Sequence, residues 1–185
     1  MSKLSADQLR RVFESSKEFN EIFDAFEQAV EQRLDDLSLY RLLFWNHALT
    51  PEELCLFGEK LSKEFPALAY DTYFWLANIF EVTLSMVDNY ELALTYYKKA
   101  ASARPEDRTP YLRAADCYER DLNIPPISEL IDFLKRGVES VKEPVPLYQR
   151  LVELYDLNGN DEMSDYYRRK IRDTTSGDPL QTQAE

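Results

Sequence analysis

Tyrosines recur along this chain at nearly equal intervals, and each begins the same short pattern of apolar and small residues. Tyr73, Tyr111 and Tyr148 lie 38 and 37 residues apart (73 to 111 and 111 to 148), and a fainter copy begins at Tyr40. The residues three, four and seven positions after each tyrosine fall on one face of an α-helix. For the last three tyrosines they are Leu76, Ala77, Phe80, Ala114, Ala115, Tyr118, Leu151, Val152 and Tyr155. A repeat of this length indicates a stack of similar helical units.

Prolines and small residues mark a second helix in each unit. Pro66, Pro105 and Pro144 are spaced 39 residues apart (66 to 105 and 105 to 144), and proline ends a helix. Ala93 and Ala100 are small where two helices must cross closely. In the third unit, either Leu130, Leu134 and Gly137 take the inward positions of the second helix, or that helix pair is irregular.

The combined pattern resembles the tetratricopeptide repeat, a helix pair of about 34 residues. The resemblance covers roughly residues 37–172 and is strongest over 70–118. It implies an all-α fold: a right-handed α-solenoid of antiparallel helix pairs, with about three to four repeats and an extra N-terminal helix. Three segments follow, namely an N-terminal capping helix (1–36), the helical repeats (37–172) and a disordered polar tail (173–185).

The predicted N-terminal helix carries a broad phenylalanine face. A capping box of Ser5 and Gln8 opens it, and apolar residues at alternating steps of three and four predict that it continues to about Leu34. Its seam residues are Leu9, Val12, Ser16, Phe19, Phe23, Phe26 and Val30. A face this apolar must be covered by other parts of the protein or by a partner. We favour the interpretation that the helix packs onto the first repeat. A dimer contact and a segment that lies in the groove are the alternatives, so the chain is either a monomer or a homodimer.

Charge and composition limit the classes of molecule that this protein is expected to bind. The net charge is −12, which argues against binding to a nucleic-acid backbone or an anionic membrane surface, because both need Lys and Arg. There is no apolar run long enough to span a bilayer and no signal peptide at the N-terminus. Cys55 and Cys117 have no spacing typical of a disulfide framework or a zinc site, so both are expected to be small buried residues. These features favour a cytoplasmic protein.

The sequence contains no catalytic motif. It lacks a glycine-rich phosphate loop and the common hydrolase and metalloprotease motifs, and His47 is its only histidine. His47 occupies an aromatic position of the repeat, so it is expected to be packed rather than catalytic. We therefore expect no enzyme activity, no cofactor and no metal site.

Protein binding is the function that the resemblance implies. The expected role is an adaptor that holds a peptide or protein partner in the concave groove of the repeats. The first alternative is a small dedicated chaperone, since the layout is similar to that of the type III secretion chaperones that protect translocator proteins. The second alternative is a structural homo-oligomer formed through the N-terminal helix.

The resemblance also places the groove. In the family, the residues one, five and eight positions after the first aromatic of each first helix face the ligand. Carried onto this chain, these positions are Phe74, Asn78, Glu81, Leu112, Asp116, Glu119, Gln149, Glu153 and Asp156. Five of the nine are carboxylates, which favours a basic and partly apolar partner segment. Family members that clamp a terminal carboxylate also carry Asn at the position of Asn78, but only Arg113 and Arg150 could supply the cations that surround it.

Overall fold

The protein is all-helical. The computed structural model describes residues 3–83 and 87–176, and these contain ten α-helices, one short 3-10 helix at Pro66–Leu68 and no strand. The helices are α1 (Ala6–Ser15), α2 (Phe19–Glu31), α3 (Leu37–Phe44), α4 (Pro51–Glu64), α5 (Ala69–Val82), α6 (Val87–Ala103), α7 (Thr109–Asp116), α8 (Ile127–Ser140), α9 (Val145–Leu157) and α10 (Asp161–Ser176). The predicted all-α fold of helix pairs that follow an N-terminal extension is confirmed.

The chain forms two compact units. Met1–Ala103 contains α1 to α6, and Arg104–Glu185 contains α7 to α10. In the first unit α4 and α6 each pack against α5, and in the second α8 and α10 each pack against α9. Within the described ranges, no helix combines the length and the apolar character that crossing a bilayer requires.

The N-terminal helix is broken in two, so the prediction of one continuous helix is wrong. Ser16, which was assigned to its seam, has the extended backbone of a helix end, and α2 begins at Phe19. The buried Asn46 stabilises the break, because its Nδ2 donates to the carbonyl oxygens of Phe13 and Ser16, each at 2.9 Å. Asn46 lies 30 residues after Ser16, so no local sequence pattern announces this contact.

The phenylalanine face of α1 and α2 is covered within the first unit. Phe13 and Phe26 are fully buried, and the Phe26 ring lies 5.0 Å from that of Phe57 on α4. Phe19 and Phe23 are half-buried and also contact the Phe57 ring, at 5.9 and 6.3 Å. The N-terminal helices therefore pack onto the first helix pair, as the capping interpretation expects.

The predicted start signal of α1 is present in the structure, and α4 begins with a signal of the same kind. Ser5 and Gln8 form a reciprocal capping box at α1, and Thr50 and Glu53 form another at α4. Pro51 occupies the first turn of α4, where its missing N–H costs nothing. Gly159 follows α9 with a φ of +68°, a left-handed conformation that favours glycine.

Helix ends differ more from expectation. Helix α7 ends at Asp116, before the repeat position of Tyr118, and a closed loop follows. Glu119 and Ile124 exchange backbone hydrogen bonds of 2.7 and 3.3 Å across this loop. The α10 helix continues to Ser176, so the first residues of the predicted disordered tail are helical, and 177–185 lie outside the described residues.

The second helix of the third repeat is regular. Leu130, Leu134 and Gly137 are all buried, which selects the first of the two alternatives. A Cβ atom at Gly137 would lie 2.6 Å from Leu147 Cδ2 and 2.7 Å from Tyr111 Cδ1. The glycine therefore lets α8 approach both α7 and α9 closely.

A larger side chain at Ala77 should destabilise the first unit. Ala77 is fully buried in α5, and Ala93 and Ala100 are fully buried in the adjoining α6. We expect Ala77→Leu to lower the free energy of unfolding by about 1–3 kcal/mol through overpacking. Thermal and denaturant melts measure the loss, with the exposed Ala103→Leu as control. Equal stability of the two variants would contradict the close packing of α5.

Candidate functional site

A pocket of about 530 Å³ opens on the first unit, between α3 and α5. Aromatic and aliphatic side chains form most of its wall, and one basic and one acidic residue also line it. We call it the aromatic pocket; its lining residues are Arg41, Trp45, Tyr70, Asp71, Phe74, Trp75, Asn78, Ile79 and Val82. Concave sites with this mixture of apolar wall and few polar groups are typical of ligand and peptide binding.

Helical spacing brings these residues together. Residues four apart lie on the same face of a helix. Along α5 the pocket residues form two such rows, and Arg41 and Trp45 form a third at the end of α3. The α5 rows are Tyr70, Phe74, Asn78 and Val82, and Asp71, Trp75 and Ile79.

Ring contacts hold the wall of the pocket in place. Tyr70 and Phe74 are stacked with centroids 5.9 Å apart, and Phe74 meets the buried Tyr97 edge-on at 5.8 Å. Trp45 and Trp75 contact edge-on at 6.3 Å, across the gap between α3 and α5. Such pairs favour fixed geometries, so the pocket is preformed rather than created by a ligand.

Large apolar side chains at the pocket are exposed to solvent. Trp45 is 49% exposed and Val82 is 64% exposed. A scattered exposed leucine needs no explanation, but apolar side chains gathered around one concavity mark an interaction site.

The rim also carries two opposite charges. The Arg41 guanidinium lies over the Trp75 ring, 4.6 Å from its centroid. Asp71 is half-buried in the first turn of α5, where a carboxylate complements the helix dipole. Within the described residues neither side chain forms an ion pair.

A second pocket of about 480 Å³ adjoins the first and shares Trp45 and Ile79 with it. Its wall is more polar, and includes Asn46, His47 and Glu52.

The predicted groove residues of α5 lie at this site. Phe74 and Asn78 line the aromatic pocket. Asn78 is engaged within the protein, since its Nδ2 donates to the Phe74 carbonyl at 2.7 Å and it accepts from Tyr97 Oη at 3.3 Å. Glu81 is half-buried and also accepts from Tyr97 Oη. Asn78 and Glu81 therefore help to hold α5 against α6, whether or not they also contact a partner.

Three of the six predicted groove residues of the second unit form ion pairs with arginines outside the predicted set. Arg150 forms ion pairs with Asp116 and Glu153, and the hydrogen bond to Glu153 and the charge of Asp116 raise the pKa of Arg150. Asp156 pairs with Arg168 at 2.8 Å and accepts from Ser164 Oγ at 2.6 Å.

The remaining three predicted residues of this unit differ in placement. Leu112 is half-buried on α7, and Gln149 is exposed on α9. Glu119 lies beyond the end of α7, in the closed loop, so its assignment to a helix face is wrong. The acidic rows of the second unit are therefore less continuous and less available than the sequence predicts.

Several pocket residues were missed in the sequence, although a signal was present. The family offsets of one and five, applied to the fainter copy that begins at Tyr40, give Arg41 and Trp45. The offsets applied to Tyr73 identify Phe74 and Asn78 but not the neighbouring row of Asp71, Trp75 and Ile79. That second row faces the pocket because α3 lies beside α5, which is a tertiary contact.

The single histidine and the two cysteines differ in burial. His47 is exposed, so the expectation of a packed histidine is wrong: α3 ends at Phe44 and leaves His47 in the following turn. Burial raises the pKa of the Cys55 thiol, which makes it a poor nucleophile, and Cys117 is buried. Among the described residues, no group of three His, Cys, Asp or Glu side chains is placed to hold a metal ion.

Comparisons with known proteins assign this chain neither a family nor a function. No protein-family model matches this sequence, and no curated protein matches it. Among solved structures, the chain is similar to the crystal structure of the MamA protein, with 13% identity over 97% of this chain and 98% of that chain and a TM-score of 0.48. A likeness at this level assigns no function, so the function must be inferred from the site itself.

Proposed function

We propose that this protein is a protein–protein interaction module, an adaptor that binds a segment of a partner in the aromatic pocket between α3 and α5 of its first unit. The segment is basic and partly apolar. The observation that carries the proposal is the aromatic pocket, where Trp45 and Val82 expose apolar surface above a preformed aromatic wall. Burying such surface is the main driving force for association.

Charge supports the basic character of the segment. The net charge of −12 favours association with cations over long range, and Asp71 provides a carboxylate at the pocket rim. The acidic residues of the second unit attract a basic segment less than their number suggests, because Arg150 and Arg168 already pair with Asp116, Glu153 and Asp156. The same balance of charge disfavours nucleic acids and anionic membranes as partners.

Covalent trapping of the partner tests the position of the site. Trp45 is replaced by photoreactive p-benzoylphenylalanine in the native host, and irradiation links the residue to whatever lies against it. Leu56 on α4 is the matched control, because it is 47% exposed, close to the 49% of Trp45, and lines neither pocket.

We expect one partner segment to be trapped at position 45 and not at position 56, and mass spectrometry identifies both the protein and the segment. Equal trapping at the two positions, or trapping at position 56 alone, would contradict the proposal. A dedicated chaperone would use the same pocket, and a partner that aggregates in cells lacking this protein would favour that role over an adaptor.

A further inference from the structure

Among the described residues, the first unit contains ion pairs between different helices or turns, and the two charges at the aromatic pocket are not among them. These ion pairs include Arg10–Asp36, Arg33–Glu64, Lys60–Glu27 and Lys99–Glu59. Arg41 and Asp71 line one pocket, yet in the described residues they pair neither with each other nor with another ion. Opposite charges that share a rim without neutralising each other are available to a ligand.

The two charges lie on different walls. Arg41 belongs to α3, and Asp71 belongs to the first turn of α5. Arg41 is preorganised, because its guanidinium face lies over the Trp75 ring while the N–H groups at its edge stay available to an acceptor. The apolar side chains that line the pocket with them reduce the local dielectric, which strengthens any charge pair formed there.

Resting on the proposed function, we propose that Arg41 and Asp71 fix the chain direction of the bound segment. A large apolar side chain of the segment enters the aromatic pocket, a Lys or Arg beside it meets Asp71, and an Asp or Glu on its other side meets Arg41. The reversed segment places like charges together and binds less well. The segment is therefore recognised by the order base, apolar residue, acid, read from the α5 wall to the α3 wall.

A displayed library of random peptides tests the order of charges. The library is selected on the full chain and on five variants: Asp71→Asn, Arg41→Gln, Arg41→Lys, Trp45→Ala and the double exchange of Arg41→Asp with Asp71→Arg. On the full chain we expect enriched peptides with a large apolar residue between a base and an acid, in the same order throughout. Asp71→Asn should reduce the preference for the base about two- to fivefold, and Arg41→Gln should reduce the preference for the acid by a similar factor.

The other variants separate structural effects from recognition. Arg41→Lys keeps the positive charge, so this variant should still select peptides that contain the acid. If Arg41 acted only by packing over the Trp75 ring, lysine would not restore this selection. The double exchange of Arg41→Asp with Asp71→Arg should reverse the order of charges in the enriched peptides. Thermal melts of each variant confirm that the binding face is folded.

Two failures are distinguishable. Enriched peptides that depend on Trp45 but carry charges in no fixed order, or an order that the Arg41 and Asp71 variants leave unchanged, would overturn the inference and leave the proposed function standing. If the library yields no peptides, or only peptides that Trp45→Ala binds equally well, the proposed function itself is overturned, and the inference with it.

Discussion

Replacing Phe26 by alanine is expected to lower the free energy of unfolding of the first unit by about 3–5 kcal/mol. The side chain is fully buried, and its ring lies 5.0 Å from Phe57 on α4 and 5.9 Å from Tyr40 on α3. It therefore joins the N-terminal helices to both helices of the first pair. Its removal leaves a cavity among three elements that cannot all move inward.

Denaturant unfolding followed by circular dichroism measures this loss. Leu56→Ala is the control, because the side chain is 47% exposed and its truncation should cost about 0.5 kcal/mol or less. A Phe26→Ala variant as stable as this control would mean that α2 does not cap the first helix pair. The phenylalanine face would then be free to serve as a dimer contact or a binding segment.

Helix starts were predictable because their signals are local. The capping boxes at Ser5 and Thr50 involve residues three positions apart, so a single sequence window contains the whole interaction. The recurring tyrosines likewise predict where first helices lie. Such patterns identify the elements and their paired arrangement, but they carry less information about where each helix ends.

Helix ends were harder to predict because distant residues decide them. The break at Ser16 depends on Asn46, and the closed loop after α7 depends on backbone bonds between Glu119 and Ile124. The steps of three and four continue across the break at Ser16, so periodicity alone cannot reveal it.

The site was predicted only in part, because contacts between distant residues also determine which side chains line it. The family offsets, applied to Tyr73, identify Phe74 and Asn78. The pocket is also lined by Trp45, which follows α3, and by Asp71, which belongs to a different row of α5. The acidic rows of the second unit illustrate the opposite error. The Asp116 carboxylate is visible in the sequence, but its ion pair with Arg150 joins residues 34 positions apart (116 to 150) and appears only in the folded chain.

The second large effect concerns binding. Trp45 combines a large ring, 49% exposure and contact with Trp75 across the pocket, which are properties of residues that dominate interface energies. We expect Trp45→Ala to weaken binding of the partner by at least about 2 kcal/mol, or roughly thirtyfold in Kd. The stability of the first unit should change much less, because half of the side chain is already in water.

The most direct measurement is the Kd of the purified partner segment for three chains, determined by calorimetry: the natural protein, Trp45→Ala and Leu56→Ala. We expect a loss of roughly thirtyfold for Trp45→Ala and a change of less than about threefold for Leu56→Ala. Equal affinity of all three chains, in proteins that melt alike, would contradict binding at the aromatic pocket.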